Sequence, residues 1–256
     1  MAGKRNVMPY LKPKHIIKLV IPARNEELAI GGVVSSVIDA VDSVIVADNG
    51  STDNTAQIAR DAGAEVVYVK EPGYGRACMT AIAAAGDYDI LVFMDGDASD
   101  NPNDLPTLLA PILSGEADMV IGSRISGDCD PGALTLPQRF GNTLACWLMK
   151  LFWGYRFTDL GPFRAIRRAS YEKLKMQAPT FGWTVEMQSR ALKIGLRCTE
   201  VPVHYRARIG VSKISGTFKG VILAGWYILT TIFIEALRPT PKVMPKLFSI
   251  PKSDRP

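Results

Sequence analysis

Two carboxylates one residue apart, Asp95 and Asp97, close the apolar run Ile90-Leu91-Val92-Phe93-Met94. Such a run suits a strand buried on both faces, and Asn101-Pro102 forbids it to continue. In a parallel sheet the carboxyl ends of strands face the ligand crevice. Hard divalent ions such as Mg²⁺ or Mn²⁺ take carboxylate oxygens and keep positions open for phosphate oxygens. The pair therefore suits a metal–diphosphate site. The plainer alternative is a polar turn capping a helix that starts near Asn103-Asp104. Arg124 stands just past a second apolar stretch, 118–122, and its planar fork suits phosphate oxygens. Its plainer alternative is a surface cation.

Positioning these groups takes strands whose ends share one edge. Ile16 to Ile21 reads as a strand closed by Pro22, with Asn25 capping a helix that runs through Glu26-Glu27 to about Ala40. Ser43 to Ala47 is a second strand, ending in the turn cluster Asp48-Asn49-Gly50-Ser51-Thr52-Asp53. After a helix to Ala62 come a strand from Glu65 to Val69, a glycine-rich loop at 70–76, and an Ala-rich helix from Ala77 to Ala85. The strand that ends at Asp95 is fourth. Helices at Leu105 to Ser114 and Pro137 to Phe152 flank the fifth strand. A turn at Asp159-Leu160-Gly161 leads into a short strand, a helix starts at Thr184, and Leu196 to Tyr205 reads as an edge strand interrupted by Pro202. Short strands alternating with helices predict a doubly wound α/β fold with a mostly parallel sheet. The polar clusters at Arg24-Asn25-Glu26, Asp48-Asn49 and Asp95-Gly96-Asp97 then share one edge, which makes a site where one cluster alone would make a cap.

The 256 residues carry a net charge of +5, unevenly spread. Residues 201–256 hold nine Lys or Arg against Glu235 and Asp254, leaving the first 200 residues slightly acidic. That asymmetry points to an acidic partner: phosphates, an anionic membrane surface or, last, nucleic acid, for which no basic stripe with stacking aromatics is present. The four cysteines have no metal-ligand or disulfide spacing, which fits reduced thiols in the cytoplasm. Residues 1–14 form a basic leader without the apolar core of a secretory signal. Gly220 to Ile234 runs fifteen residues without a charge. That is short of the roughly 20 needed to span a bilayer. With Trp226, Tyr227 and a basic, Pro-rich tail, this stretch reads as an interfacial helix on a peripheral protein at the cytoplasmic membrane face, a core helix being the alternative.

Four motifs in order, Ile21-Pro22-Ala23-Arg24-Asn25-Glu26-Glu27, Asp48-Asn49-Gly50-Ser51-Thr52-Asp53, Asp95-Gly96-Asp97 and Gly161-Pro162-Phe163-Arg164-Ala165, resemble those of family 2 glycosyltransferases. More narrowly, the chain is similar to the polyprenyl-phosphate sugar synthases, the dolichol-phosphate mannose synthase group, from about Ile16 to Gly216. The resemblance implies a GT-A fold with a Rossmann-like, mostly parallel sheet. It divides the chain into the leader, a catalytic domain at 15–216 (nucleotide-binding half 15–125, acceptor half 126–216) and the 217–256 helix and tail. It implies a UDP- or GDP-hexose donor and Mg²⁺ or Mn²⁺ as cofactor. Pro22, Ala23, Arg24 and Glu26 would contact base and ribose, with Ala47, Asp48 and Asn49 closing the base pocket. Asp95, Gly96 and Asp97 would hold the donor diphosphate through the metal, with Ser99 near the same ion. Arg124 and Arg139 would meet the diphosphate or the acceptor phosphate, and Arg208 and Lys213 would grip phosphates from a basic loop.

Inverting transfer to a hydroxyl needs a general base, for which Asp159 and Glu186 are the candidates. A lipid phosphate is already an anion and needs only cations to hold it. Two departures bear on this. Asp48-Asn49 stands where Asp-Asp is commoner, and Asp159-Leu160-Gly161 replaces a usual Asp-Pro-Thr-Ser-Gly. The rival readings are transfer to a hydroxyl acceptor, a haloacid-dehalogenase-type phosphatase with a nucleophilic Asp95, and a nucleotide-sugar-binding protein without turnover.

Overall fold

The computed structural model describes residues 15–210 and 218–239. The leader, the basic loop around Lys213 and the basic tail lie outside them. Seven strands, β1 (Ile17–Ala23), β2 (Ser43–Asp48), β3 (Glu65–Tyr68), β4 (Ile90–Phe93), β5 (Met119–Ser123), β6 (Arg164–Arg167) and β7 (Cys198–Pro202), form one sheet in the order β3-β2-β1-β4-β6-β5-β7. All pairings are parallel except those of β6, which runs against both β4 and β5. The carboxyl ends of β1, β2, β4 and β5 therefore share an edge, as expected, and β7 is an edge strand. The reversed β6 is not foreseen by the alternating pattern. It starts at that same edge, so it delivers the 158–163 turn directly to the site.

Helices α1 (Ile30–Val37), α2 (Thr55–Asp61) and α4 (Leu105–Leu113) enclose one apolar layer with the sheet, and α3 (Tyr74–Ala84), α5 (Leu136–Trp153) and α7 (Trp183–Lys193) the other; α6 (Arg168–Leu174) follows β6. Strand β4 is buried throughout. α5 is bounded by local chemistry: Thr135 and Gln138 form a reciprocal capping box, and Gly154 ends the helix with φ of 76°. Gly161 is required by close approach, since a Cβ there would run into the Gly122 carbonyl.

Three boundaries differ from expectation. Pro22 lies inside β1, opposite Ala47. The β4 pairing ends at Val20, so no ladder bond is asked of the proline on that side. Asn25 does not cap α1. It adopts φ of 53° and its Oδ1 accepts the Thr52 amide at 2.7 Å, tying the loop after β1 to the loop after β2. The last helix, α8 (Phe218–Leu237), passes through Glu235, whose carboxylate is buried and paired with Arg190, Lys193 and Arg238. The charge marks an anchor onto α7, not an end.

Candidate active site

Two cavities meet at the carboxyl edge of the sheet, and Tyr74, Asp95, Asp97, Phe181 and Arg208 line both. The larger, about 420 Å³, opens between the loops after β1 and β2 and is walled by Pro22, Ala23, Arg24, Glu26, Asn49 and Gly96. The smaller, about 280 Å³, lies against the start of α5 and the middle of α8, with Arg124, Asn142, Leu160, Pro162 and Tyr205 in its wall. The two acidic side chains thus stand on a shared partition between two binding volumes.

The partition is built by a tight turn. Ala98 sits at φ of 65°, a conformation that costs a residue with a Cβ about 1–2 kcal/mol. This turns Ser99 back onto Asp97, whose Oδ1 accepts the Ser99 amide at 3.0 Å and the Ser99 hydroxyl at 2.5 Å. Ser99 is fully buried and lines neither cavity. It is placed behind Asp97, not beside it as a further ligand. The other oxygen of Asp97 faces the Arg208 guanidinium at 3.2 Å. A segment more than a hundred residues downstream is clipped along this turn. The Arg206 amide donates to the Ser99 carbonyl at 2.8 Å, and the Ile209 amide to the Asp97 carbonyl at 2.9 Å. That clip explains why Arg208 arrives here.

Asp95 adds to the negative charge. Its amide donates to Asp100 Oδ2 at 3.0 Å, and Tyr74 Oη stands 3.4 Å from its Oδ1. Burial, then the charges of Asp100 and Asp97, hold the Asp95 carboxyl well above the usual range. Burial also pushes Asp100 up to about 7, against the pull of the Asp95 amide, and Asp100 Oδ1 has no partner. Three crowded carboxylates are therefore short of positive charge, which a divalent cation would supply. No cluster of three or more acidic, His or Cys ligands occurs among the described residues. The donor set thus fits a hard cation with two protein carboxylates whose remaining positions go to ligand phosphates.

Asp100 yields a pH prediction. The folded protein keeps on Asp100 a proton that the unfolded chain releases near pH 4. The fold therefore loses stability from this group as pH rises from about 4 to about 7. In chelator, Asp100→Asn, which cannot titrate, should gain in Tm relative to wild type from pH 5 to pH 8. A Tm difference that does not change with pH would refute the assignment.

On the other wall, Arg124 forks onto Asp159: Nε to Oδ2 at 2.8 Å and Nη2 to Oδ1 at 2.7 Å, with its backbone amide also on Oδ2 at 2.8 Å. The guanidinium stacks over Tyr205, 5.0 Å from the ring centre. Burial works against its charge, but Asp159 outweighs this and raises the pKa. Asp159 is fully buried and lines neither cavity. Glu186 is likewise buried, accepting the Gln177 and Ala178 amides and pairing with Arg190 at 2.7 Å. Both candidate bases are thus locked away from the cavities as braces. Arg164, also fully buried, spans the Leu160, Gly161 and Thr184 carbonyls and stiffens the same turn.

Of the residues expected at the site, Pro22, Ala23, Arg24, Glu26, Asn49, Asp95, Gly96, Asp97, Arg124 and Arg208 reach the cavities. Ala47 belongs to the core, and Asp48 is buried, receiving the Ser51 amide at 3.1 Å. Asn49 Oδ1 accepts the Gly73 amide at 2.7 Å, joining two loops of the larger cavity. Arg139 is exposed on α5 and absent from both walls. Lys213 lies outside the described residues. The aromatic walls Tyr74, Phe181 and Tyr205 were not expected. Only Tyr74 carried a signal, standing between two glycines at the start of α3.

Comparison with known proteins gives a consistent answer. The family model described as glycosyl transferase family 2 matches residues 18–182. A dolichyl-phosphate hexose transferase of Haloferax volcanii is 33% identical over 227 residues, 87% of this chain and 96% of that protein. An uncharacterized glycosyltransferase of Mycobacterium tuberculosis is 34% identical over 211 residues, 81% of this chain and 94% of that one. Among solved structures, glucosyl-3-phosphoglycerate synthase from M. tuberculosis in complex with Mn²⁺, UDP-glucose and phosphoglyceric acid superposes with a TM-score of 0.71 at 25% identity, covering 88% of this chain and 81% of the other.

Proposed function

The chain belongs to glycosyl transferase family 2, and from that membership we propose that it moves a hexose from a nucleotide sugar to a polyprenyl phosphate or related lipid phosphate, with inversion and with Mg²⁺ or Mn²⁺. It is a glycosyltransferase of GT-A architecture, with the mostly parallel sheet that the resemblance implied. The larger cavity takes the nucleoside: Pro22, Ala23 and Asn49 flank the base, and Arg24 and Glu26 the ribose. A Mn²⁺ and UDP-glucose complex of a similar fold supports both donor class and metal. Asp95 and Asp97 would hold the ion, which as a Lewis acid neutralises charge gathering on the leaving diphosphate.

One observation carries the acceptor assignment. Among the described residues, the carboxylates lining the smaller cavity are Asp95 and Asp97 alone, while Arg124 and Arg208 face it as cations. The sequence at 211–217 adds no carboxylate. A hydroxyl nucleophile would find no spare base there among the described residues, whereas a phosphate monoester needs none. Its oxygen forms the new bond to the anomeric carbon as the bond to the donor diphosphate breaks, and the nucleoside diphosphate leaves with the electron pair. Arg124, held rigid by Asp159, orients the acceptor phosphate.

Two exposed stripes support a membrane-borne acceptor. Leu136, Phe140, Trp147 and Leu151 on α5, and Ile222, Trp226, Phe233 and Leu237 on α8, stand at the same spacing and are each about half exposed or more. Positions i, i+4, i+11 and i+15 fall on one helix face. α5 flanks the smaller cavity near its start and α8 near its middle, and Phe152 meets Phe233 farther along, ring centres 5.8 Å apart. No helix among the described residues is long and apolar enough to cross a membrane. We read the paired stripes as seated in the headgroup layer of an anionic bilayer.

The deciding experiment incubates the protein with labelled UDP- and GDP-hexoses, Mn²⁺ and polyprenyl phosphate. Metal-dependent lipid product supports the reading, and turnover with only a soluble hydroxyl acceptor overturns it. For the stripes, Trp147→Glu with Trp226→Glu should cut flotation with anionic liposomes about tenfold or more. Unchanged flotation, with a dimer becoming a monomer, would make this face a contact between copies instead.

A further inference from the structure

Among the described residues, Arg208 is the one side chain that lines both cavities and also ties two of their acidic walls together. Its Nη1 lies 3.2 Å from Asp97 Oδ2, and its Nη2 donates to Glu26 Oε1 at 2.9 Å. Its backbone is fixed, because the neighbouring amides of Arg206 and Ile209 are bonded to the turn that carries Asp97.

We propose that Arg208 is a side-chain latch that occupies the cation position at Asp97, so that metal and nucleotide must displace it before the acceptor's anion can use it. The inference rests on the reading of Asp97 as a metal-holding carboxylate and adds to it a competing cation from this chain. Asp97 Oδ1 is committed to Ser99, so an entering cation competes with Arg208 for Oδ2. A divalent ion there repels the guanidinium as well as replacing it. A ribose hydroxyl arriving at Glu26 loosens the other arm. Metal and nucleotide therefore each undo part of one constraint. Whichever binds first lowers the cost for the second, which is positive coupling without movement of the loop. Once released, the guanidinium has the smaller cavity before it, where Arg124 already stands. The acceptor phosphate then meets two cations instead of one.

The test measures Mn²⁺ binding to the full chain without nucleotide, from the electron paramagnetic resonance signal of free Mn²⁺. Arg208→Ala should bind Mn²⁺ about tenfold or more tightly than wild type. Arg208→Lys, which can reach one carboxylate at a time, should fall between. Arg206→Ala removes an equal charge from a side chain bonded to the Asp100 carbonyl rather than to Asp97, and should change affinity much less. Circular dichroism and Tm show that each variant is folded. Equal or weaker Mn²⁺ binding by Arg208→Ala overturns the latch, as does an equal gain in Arg206→Ala, which would mean a general charge effect. If neither wild type nor any variant binds Mn²⁺, with or without UDP, the metal reading of Asp97 fails and the latch fails with it.

Discussion

Replacing Asp97 with alanine should reduce sugar transfer at least about 10³-fold while the protein stays folded. A thousandfold loss corresponds to about 4 kcal/mol of transition-state stabilisation. That is the scale expected when a Lewis acid loses its grip on a leaving group. The side chain is buried in the partition, its Oδ1 held by Ser99 and its Oδ2 paired with Arg208, so it has little freedom to be replaced by a neighbour. Asp97→Asn keeps an acceptor for Ser99 but lacks the charge, and should lose nearly as much activity with less change in stability. Steady-state transfer assays, with Tm as a folding control, distinguish the two effects. Activity above a tenth of wild type in both variants would remove Asp97 from the metal site.

Asp159→Ala should instead cost stability. Arg124 would be left largely buried without its fork partner, its side chain being only 14% exposed. Removing one member of such a pair costs about 3–5 kcal/mol. For a domain of this size that lowers Tm by roughly 10 °C or more. The variant that separates a brace from a base is Asp159→Asn. A brace predicts a lower Tm with activity recovering at low temperature, whereas a base predicts lost activity at unchanged Tm. Replacing both partners with apolar residues, Arg124→Met with Asp159→Leu, should restore much of the stability but not transfer, because Arg124 also lines the smaller cavity. Thermal melts and transfer assays at two temperatures read all three outcomes.

The parts of the site legible in the sequence are those whose chemistry and position share one local cause. An apolar strand that stops on acids places Asp95 and Asp97 at the sheet edge whatever the rest of the chain does, and the same holds for Pro22 to Glu26. Asp159 and Glu186 read differently because a carboxylate in a turn or on a helix says nothing of its depth. The Arg124 fork on Asp159 is set by the tertiary fold, and although Arg190 is the helix neighbour of Glu186 at i+4, the Gln177 and Ala178 amides that bury that carboxylate come from outside the helix. Asn25 looked like a cap because capping is the common use of Asn before a helix, but its side chain was claimed by Thr52, 27 residues away. The α5 stripe was hidden by the buried Ala145, Cys146, Leu148 and Met149 on the same helix, which make it apolar nearly all round. Only burial separates the residues that face protein from those that face outward.

The reversed strand also bears on how the chain is made. Strand β5 pairs with β6 and β7 and not with β4, so when it is synthesised both its neighbours are still to come. The apolar residues Met119, Val120 and Ile121 wait on some forty further residues, all of α5 included, before β6 closes the gap. Unpaired apolar strands of this kind are where nascent chains aggregate. A chain ending at residue 125 would therefore carry β5 without either of its neighbours. A ribosome that stalled after Trp153 would carry both acids of the partition and neither the Asp159 brace nor the Arg208 arm, and its product would be a chaperone client before it was a transferase.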